Sequence, residues 1–506
     1  MKPIRTIRIL CLLLLSSPLT QAAPQWNQFR GPNGSGSLPN SSPPLNFNPD
    51  HPTWSTPTPL GHSSPILWNQ ALFLSAIENN QLLTLALKTS DGTPLWKYAA
   101  PNSPLEPVHK STSPAASTPV ANDQFVCSYF ASYGLLCFNH QGKLLWSNPL
   151  PTPKNMYGNS TSPVIHHNQV ILLLDDDANL PDSQVSRSRI IAFNLHDGSI
   201  AWETPRPLNR SAWSTPMIWN HANGQDLVAL GNGRAYGYNP DTGQEKWYLN
   251  GFAREPIAIP VANTNLLFLS AARQGGGDDS SLDPEPFWNA MLHFDTNHDG
   301  QITTNEINPD FTIPIRPELP PGHPGFGLPL PDNPEKRRER QAEFFKWRDK
   351  NHDGAWTHDE FAGDMRMGSG KALLVAVLPN GQGDITETHS AWTLSRGIPE
   401  IPSPILHNNF LYLLRSGGLL TCINASTGDT LYSERLKAPG QYAASPVITQ
   451  NHLLLISENG TLTIVPTGPT FTITRQINLN AKIAATPALD SNTLYLRTPT
   501  HTLAFR

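Results

Sequence analysis

Ser64-Pro65-Ile66-Leu67 opens a stretch that runs through the turn Asp91-Gly92 and reaches Trp96. The same frame returns at Thr118-Pro119 with Gly142 and Trp146, at Ser162-Pro163 with Gly198 and Trp202, and at Thr215-Pro216 with Gly243 and Trp247. Ser403-Pro404 leads to Gly428 and Tyr432, Ser445-Pro446 and Thr486-Pro487 open two more units, and Ile259-Pro260 fills one slot without a hydroxyl. Glycine takes the positive-φ position of the turn, and an aromatic four residues later falls on the face of the next strand. The prolines stand 54, 44, 53, 44, 144, 42 and 41 residues apart. Each short interval fits one four-stranded unit, and the long one holds a unit plus about a hundred foreign residues.

Eight openers imply eight blades, and Thr486 to Arg506 is too short to finish the last one. Its open edge needs a cover, and Trp54 in Pro52-Thr53-Trp54-Ser55 reads as the missing fourth strand. The sequence therefore predicts an all-β chain: an eight-bladed β-propeller whose N-terminal strand closes the last blade, with a small α-helical insertion. The repeated tryptophans read as packing between neighbouring sheets, not as a surface for stacking a ligand.

Composition agrees. Charged residues are 15% of 506, prolines number 50 and glycines 35, which excludes a helical bundle or coiled coil. Thirty-five basic against forty acidic residues leave a net charge of −5 with no basic stripe, so nucleic acid is not an expected partner.

Lys2, Arg5 and Arg8 precede the apolar run Ile9 to Leu15, and small residues follow up to Ala22 and Ala23. This pattern predicts a cleaved signal peptide over 1–23, and the run is too short to span a bilayer. The mature protein is expected to be extracytoplasmic, periplasmic or secreted, with no membrane span. The expected division is propeller over 24–272, insertion over 273–370 and propeller again over 371–506. An oxidising compartment permits disulfides. Cys127 and Cys137 flank a hairpin centred near residue 132, which allows a bridge between them, whereas Cys422 in an apolar strand reads as a buried free thiol.

The insertion carries the readable chemistry. Phe287, Met291 and Phe294 recur at helical spacing and lead into Asp295-Thr296-Asn297-His298-Asp299-Gly300-Gln301-Ile302-Thr303-Thr304-Asn305-Glu306. A second helix, Glu335 to Arg348, leads into Asp349-Lys350-Asn351-His352-Asp353-Gly354-Ala355-Trp356-Thr357-His358-Asp359-Glu360. Both match the twelve-residue EF-hand loop, which surrounds calcium with hard oxygens by turning alternate residues inward. Asp295, Asn297, Asp299, Gln301 (through its carbonyl), Thr303 (through water) and Glu306 are the expected ligands of one ion. Asp349, Asn351, Asp353, Ala355, Thr357 and Glu360 are those of a second. Ile302 and Trp356 should join the loops in a short ladder, and the proline-rich stretch between Pro309 and Pro334 is expected to run extended over the surface. His166-His167, like His298 and His352, reads as turn and loop residues.

The repeats resemble PQQ-type propeller blades, shared by quinoprotein alcohol dehydrogenases and BamB-type assembly lipoproteins. Trp26-Asn27-Gln28-Phe29-Arg30-Gly31-Pro32-Asn33-Gly34, Gly383-Asp384-Ile385-Thr386 with Ala391-Trp392, and Pro402-Ser403-Pro404 through Ala444-Ser445-Pro446 are similar to exported bacterial PQQ-like propeller proteins. The BamB side of the resemblance implies a scaffold that binds a protein or glycan partner; the dehydrogenase side implies a quinone in the funnel beside calcium. Those dehydrogenases cover the quinone with two adjacent cysteines, and Cys11, Cys127, Cys137 and Cys422 include no adjacent pair. No nucleophile elbow, zinc-protease motif or phosphate loop appears either. The expectation is a calcium-binding scaffold without catalytic residues and without PQQ, with a PQQ-dependent dehydrogenase as the alternative.

Overall fold

The computed structural model describes residues 25–506 apart from 156, 177–185, 208, 210–211, 254–255, 273–283, 315, 329, 350 and 367–370. The predicted signal peptide, with Cys11, and the first residues of the insertion lie outside the described residues.

Among the described residues, eight four-stranded antiparallel sheets form the ring, and seven draw their four strands from one stretch of sequence. Blade 5 is interrupted by the insertion and by Gly383–Asp384, which leaves it to add a fifth strand to blade 4, parallel to Glu245–Asn250. The eighth combines Ala488–Leu489, Leu494–Arg497 and His501–Phe505 with Trp54–Pro57 from the N-terminal side. Trp54 pairs with Ala504 and Pro57 with His501, so the ring closes as the sequence predicts. Middle strands such as Leu267–Ala271 are buried along their whole length because a neighbouring blade covers each face. Outer strands such as Pro94–Ala99 are exposed at alternate positions, as a rim strand covered on one side should be.

Two devices repeat from blade to blade. In the first, the opener's hydroxyl accepts the N–H of the preceding opener: Ser64 N to Thr118 Oγ1 at 2.9 Å, Thr118 N to Ser162 Oγ at 3.0 Å and Ser162 N to Thr215 Oγ1 at 3.0 Å. The circle resumes from Ile259 N to Ser403 and passes through Ser445 and Thr486 back to Ser64. Ile259 carries no hydroxyl, and there Ser214 Oγ bridges to the Ala258 carbonyl at 2.9 Å. The Ser/Thr-Pro dipeptide is thus a joint between blades.

In the second device, at five of the eight steps, one blade's tryptophan covers the turn glycine of the next: Trp54 over Gly92, Trp96 over Gly142, Trp146 over Gly198, Trp202 over Gly243 and Trp392 over Gly428. A Cβ on Gly92 would come 2.5 Å from Trp54 Cε3, and its φ of 74° is one that only glycine adopts freely. A bulge in the third strand explains the fixed spacing. The register shifts just after Ala86, Cys137, Ala192, Gly237, Ala376 and Cys422, and each of these small residues faces the blade's aromatic.

The insertion leaves blade 5 between its second strand, Leu267–Ala271, and its third, Leu373–Val377. It contains helices α1 (Pro284–Met291), α2 (Pro334–Arg348) and α3 (His358–Arg366) around a core of its own, including Trp288, Phe294, Ile302, Phe345 and Trp356. The proline-rich stretch departs from the expected surface path. Phe311 and Phe326 are buried in that core, and the Gln341 amide donates to the carbonyls of Asn308, Pro309 and Phe311 at 2.9–3.1 Å. Two aromatic anchors among prolines are enough to fold the stretch inward.

Among the described residues, no helix is long and apolar enough to cross a membrane.

Candidate functional site

In an antiparallel meander, the connections between blades and the hairpins between second and third strands lie on one face; the remaining hairpins lie on the other. The insertion therefore emerges on the first of these faces. Its two loops have the same internal geometry. Asp295 Oδ2 accepts the Gly300 N–H at 2.9 Å, and Asp349 Oδ2 accepts that of Gly354 at 3.0 Å. The side-chain Oδ1 atoms of Asn297 and Asn351 accept the N–H of Asp299 and Asp353, both at 3.0 Å. Asp299 and Asp353 in turn accept from the Gln301 and Ala355 amides at 2.9 Å. Thr303 and Thr357 donate amide and hydroxyl to Glu306 and Glu360, at 2.8–3.0 Å. Ile302 pairs with Trp356 across a two-stranded ladder.

Asp295, Glu306, Asp349 and Glu360 are buried, while the Asn297–Asp299 and Asn351–Asp353 pairs face solvent. Burial opposes ionisation of Glu306, but hydrogen bonds from Thr303, Thr296 and Asn297 outweigh it and hold the carboxyl at about 2. Asp295 Oδ1 is buried with no hydrogen-bond partner. A buried carboxylate oxygen without a donor fits a bound cation, and the donor set is all oxygen, as a hard divalent ion requires.

The axis of the ring holds a second arrangement, which the sequence reading does not anticipate. The segment 26–42 touches first strands on every side. Trp26 O accepts from Leu67 N in blade 1 at 2.6 Å, and Asn27 O accepts from Ala121 N in blade 2 at 2.8 Å. The Asn33 amide pairs with Ile218 in blade 4 through both its donor and its acceptor, at 2.6 and 3.1 Å. Arg30 Nη2 donates to the Pro404 carbonyl in blade 6 at 2.7 Å, and Ser37 forms a parallel bridge with Ile448 in blade 7. A segment in contact with opposite walls of a ring can only run through its middle.

Arg30 is fully buried there, its Nε and Nη1 have no hydrogen-bond partner, and burial lowers its pKa to about 9. Left-handed φ angles at Arg30, Gly31, Asn33, Gly34 and Gly36 coil the segment tightly enough to fit. At Gly36 a Cβ would stand 2.7 Å from Ile405 Cδ1 and 2.8 Å from Arg30 Nη2. The density of Gly and Asn between 27 and 36 was the available signal: it describes a coil, not a strand.

On the insertion face, sequence reasoning also missed Glu106. This buried carboxylate lies in the connection from blade 1 to blade 2 and accepts the Asn159 N–H at 3.1 Å. Its other oxygen has no hydrogen-bond partner, and burial raises its pKa to about 7. Nearby, Asp175 and Arg206 form an ion pair at 2.9 Å with both side chains fully buried, and Arg206 donates to the Tyr238 hydroxyl at 2.7 Å.

Cys127 and Cys137 pair across their hairpin with Cα atoms 4.2 Å apart and their sulfurs in bonding contact. Cys422 is a buried free thiol whose pKa burial raises to about 11.

A family profile described as outer membrane protein assembly factor BamB matches residues 48–174, which span the closing strand, blades 1 and 2 and the first half of blade 3. Among solved structures, the chain is similar to BamB from Moraxella catarrhalis, with a TM-score of 0.50 and 10% identity over 89% of this chain and 96% of that one. The computationally designed Ika8 protein follows, with a TM-score of 0.49 and 12% identity over 90% and 99%. A europium-containing methanol dehydrogenase has a TM-score of 0.49 and 11% identity over 94% and 89%. At such identities the likeness is one of fold. No curated protein matches the sequence significantly.

Proposed function

We propose that this chain is an exported, calcium-loaded β-propeller that serves as a binding scaffold for a protein or glycan partner, in the periplasm or outside the cell. The observation that carries the reading is the filled axis. A quinone enzyme needs its funnel for the cofactor, and here the chain's own segment 26–42 runs through the axis with Arg30 buried in it. The partial match to an assembly factor supports a protein partner. The loops of the insertion face, together with the insertion, are the surface we assign to that partner.

Calcium in the two insertion loops has a structural role in this reading. Asp295, Asn297, Asp299, Gln301, Thr303 and Glu306 hold one ion, and Asp349, Asn351, Asp353, Ala355, Thr357 and Glu360 the other. Affinities of extracellular modules, about 10⁻⁴ to 10⁻³ M, keep such sites filled outside the cytoplasm. The insertion is then a docking arm ordered by calcium, outside the funnel and unable to polarise a quinone at the axis. The ultraviolet–visible spectrum of the protein purified from its own cells tests the scaffold reading. Aromatic absorption alone is expected, and a stoichiometric quinone band would reverse it.

A further inference from the structure

The face opposite the insertion carries a group of side chains that the scaffold reading does not use. His166 and His167 occupy the first hairpin of blade 3, and Asp241 lies in the last hairpin of blade 4. Successive strand residues point to opposite sides. Here His167 has a φ of 49°, which turns its ring back beside that of His166, with ring centroids 3.9 Å apart. Asp241 is held in its turn by donating its N–H to Asn239 Oδ1 at 2.9 Å. His166 Nε2 and His167 Nδ1 each lie 3.2 Å from Asp241 Oδ1, and the three ligand atoms lie within 4.8 Å of one another.

The two 3.2 Å distances fit two chemistries. One is a pair of imidazole N–H groups donating to a single carboxylate oxygen. The other is a tetrahedral metal site: metal–ligand bonds of about 2.0–2.1 Å put neighbouring ligand atoms about 3.3–3.4 Å apart. The surroundings favour a metal. The His166 ring is buried and fixed, while His167 and Asp241 are 67% and 59% exposed, which leaves room for an ion and for water as a fourth ligand. Two imidazoles and a carboxylate suit a borderline divalent ion of the zinc class and contrast with the all-oxygen loops of the insertion.

We propose that His166, His167 and Asp241 bind one zinc-class divalent ion that clips blade 3 to blade 4. The ligands come from two blades, so a bound ion would stiffen the joint between them. The open fourth position would let a donor atom of a partner replace the water.

Calorimetric titration of the full chain with Zn²⁺, in excess calcium so that the insertion loops are saturated, tests this. His167→Asn and Asp241→Asn are the variants of choice, because both positions are exposed and asparagine accepts the left-handed backbone at 167. Circular dichroism without zinc serves as their folding control. The double variant measures zinc taken by other histidines. The wild type is expected to bind one Zn²⁺ more than the double variant. Each single variant should lose roughly tenfold or more in affinity, and Co²⁺ should give the visible bands of a four- or five-coordinate ion in the wild type alone. Equal uptake and affinity in wild type and double variant, or no uptake at all, would show that the three residues are joined only by hydrogen bonds.

Discussion

Trp54 and Ala504, from opposite ends of the chain, face each other across the eighth blade, and the Trp54 indole N–H donates to the Thr89 carbonyl of blade 1 at 2.9 Å. One side chain thus completes the last blade and fastens it to the first. Trp54→Ala should cost about 3–5 kcal/mol, the usual loss for a large buried aromatic. The denaturation midpoint in urea checks this. A loss under about 1 kcal/mol would mean that the closing strand does not hold the ring.

The insertion should take up two calcium ions, seen by calorimetry, and chelation should lower the melting temperature. Glu306→Gln and Glu360→Gln each remove the bidentate ligand of one loop and should each abolish one site. Uptake unchanged in the double variant would refute the assignment.

Much of this architecture was legible because the blades repeat. The openers, the turn glycines and the aromatics recur at fixed spacing, since each performs the same joint with its neighbour. The axial segment was not legible in that way. Asn33 meets Ile218 and Arg30 meets Pro404 through contacts made once, with no period to reveal them. The same holds for Asp241, whose approach to His166 and His167 is set by the rotation between two blades. Glu106 looks like any loop acid until the fold buries it. The two insertion loops stand out in the sequence because the residues expected to hold each ion lie within twelve consecutive positions.

Glu106 should leave a mark on stability against pH. Burial raises its carboxyl to about 7, whereas in the unfolded chain it titrates near 4.3. The fold therefore holds the protonated form better. That contribution is fully present below about pH 4.3, falls as the pH rises to about 7 and is gone above it, a loss on the order of 3 kcal/mol. Glu106→Gln should gain stability relative to wild type across that window and track it in parallel above about pH 8. Identical pH profiles for the two proteins would contradict the burial argument.

Non-reducing peptide mapping should recover Cys127 linked to Cys137. The loop they close is short and already held by a strand ladder, so reduction should lower stability by less than the roughly 3 kcal/mol expected for a free loop of similar length. Recovery of both as alkylated thiols would reject the bridge.

The axis is filled by the chain itself, and in the proposed function the propeller binds partners without oxidising substrates. The most direct measurement is reconstitution of the full chain with PQQ and calcium, followed by dye-linked oxidation of a panel of alcohols and sugars. No saturable turnover above that of the protein without quinone is expected. Saturable turnover that disappears when PQQ is withdrawn would contradict the proposed function, because the quinone would then have found a place that Arg30 and its segment are held to fill.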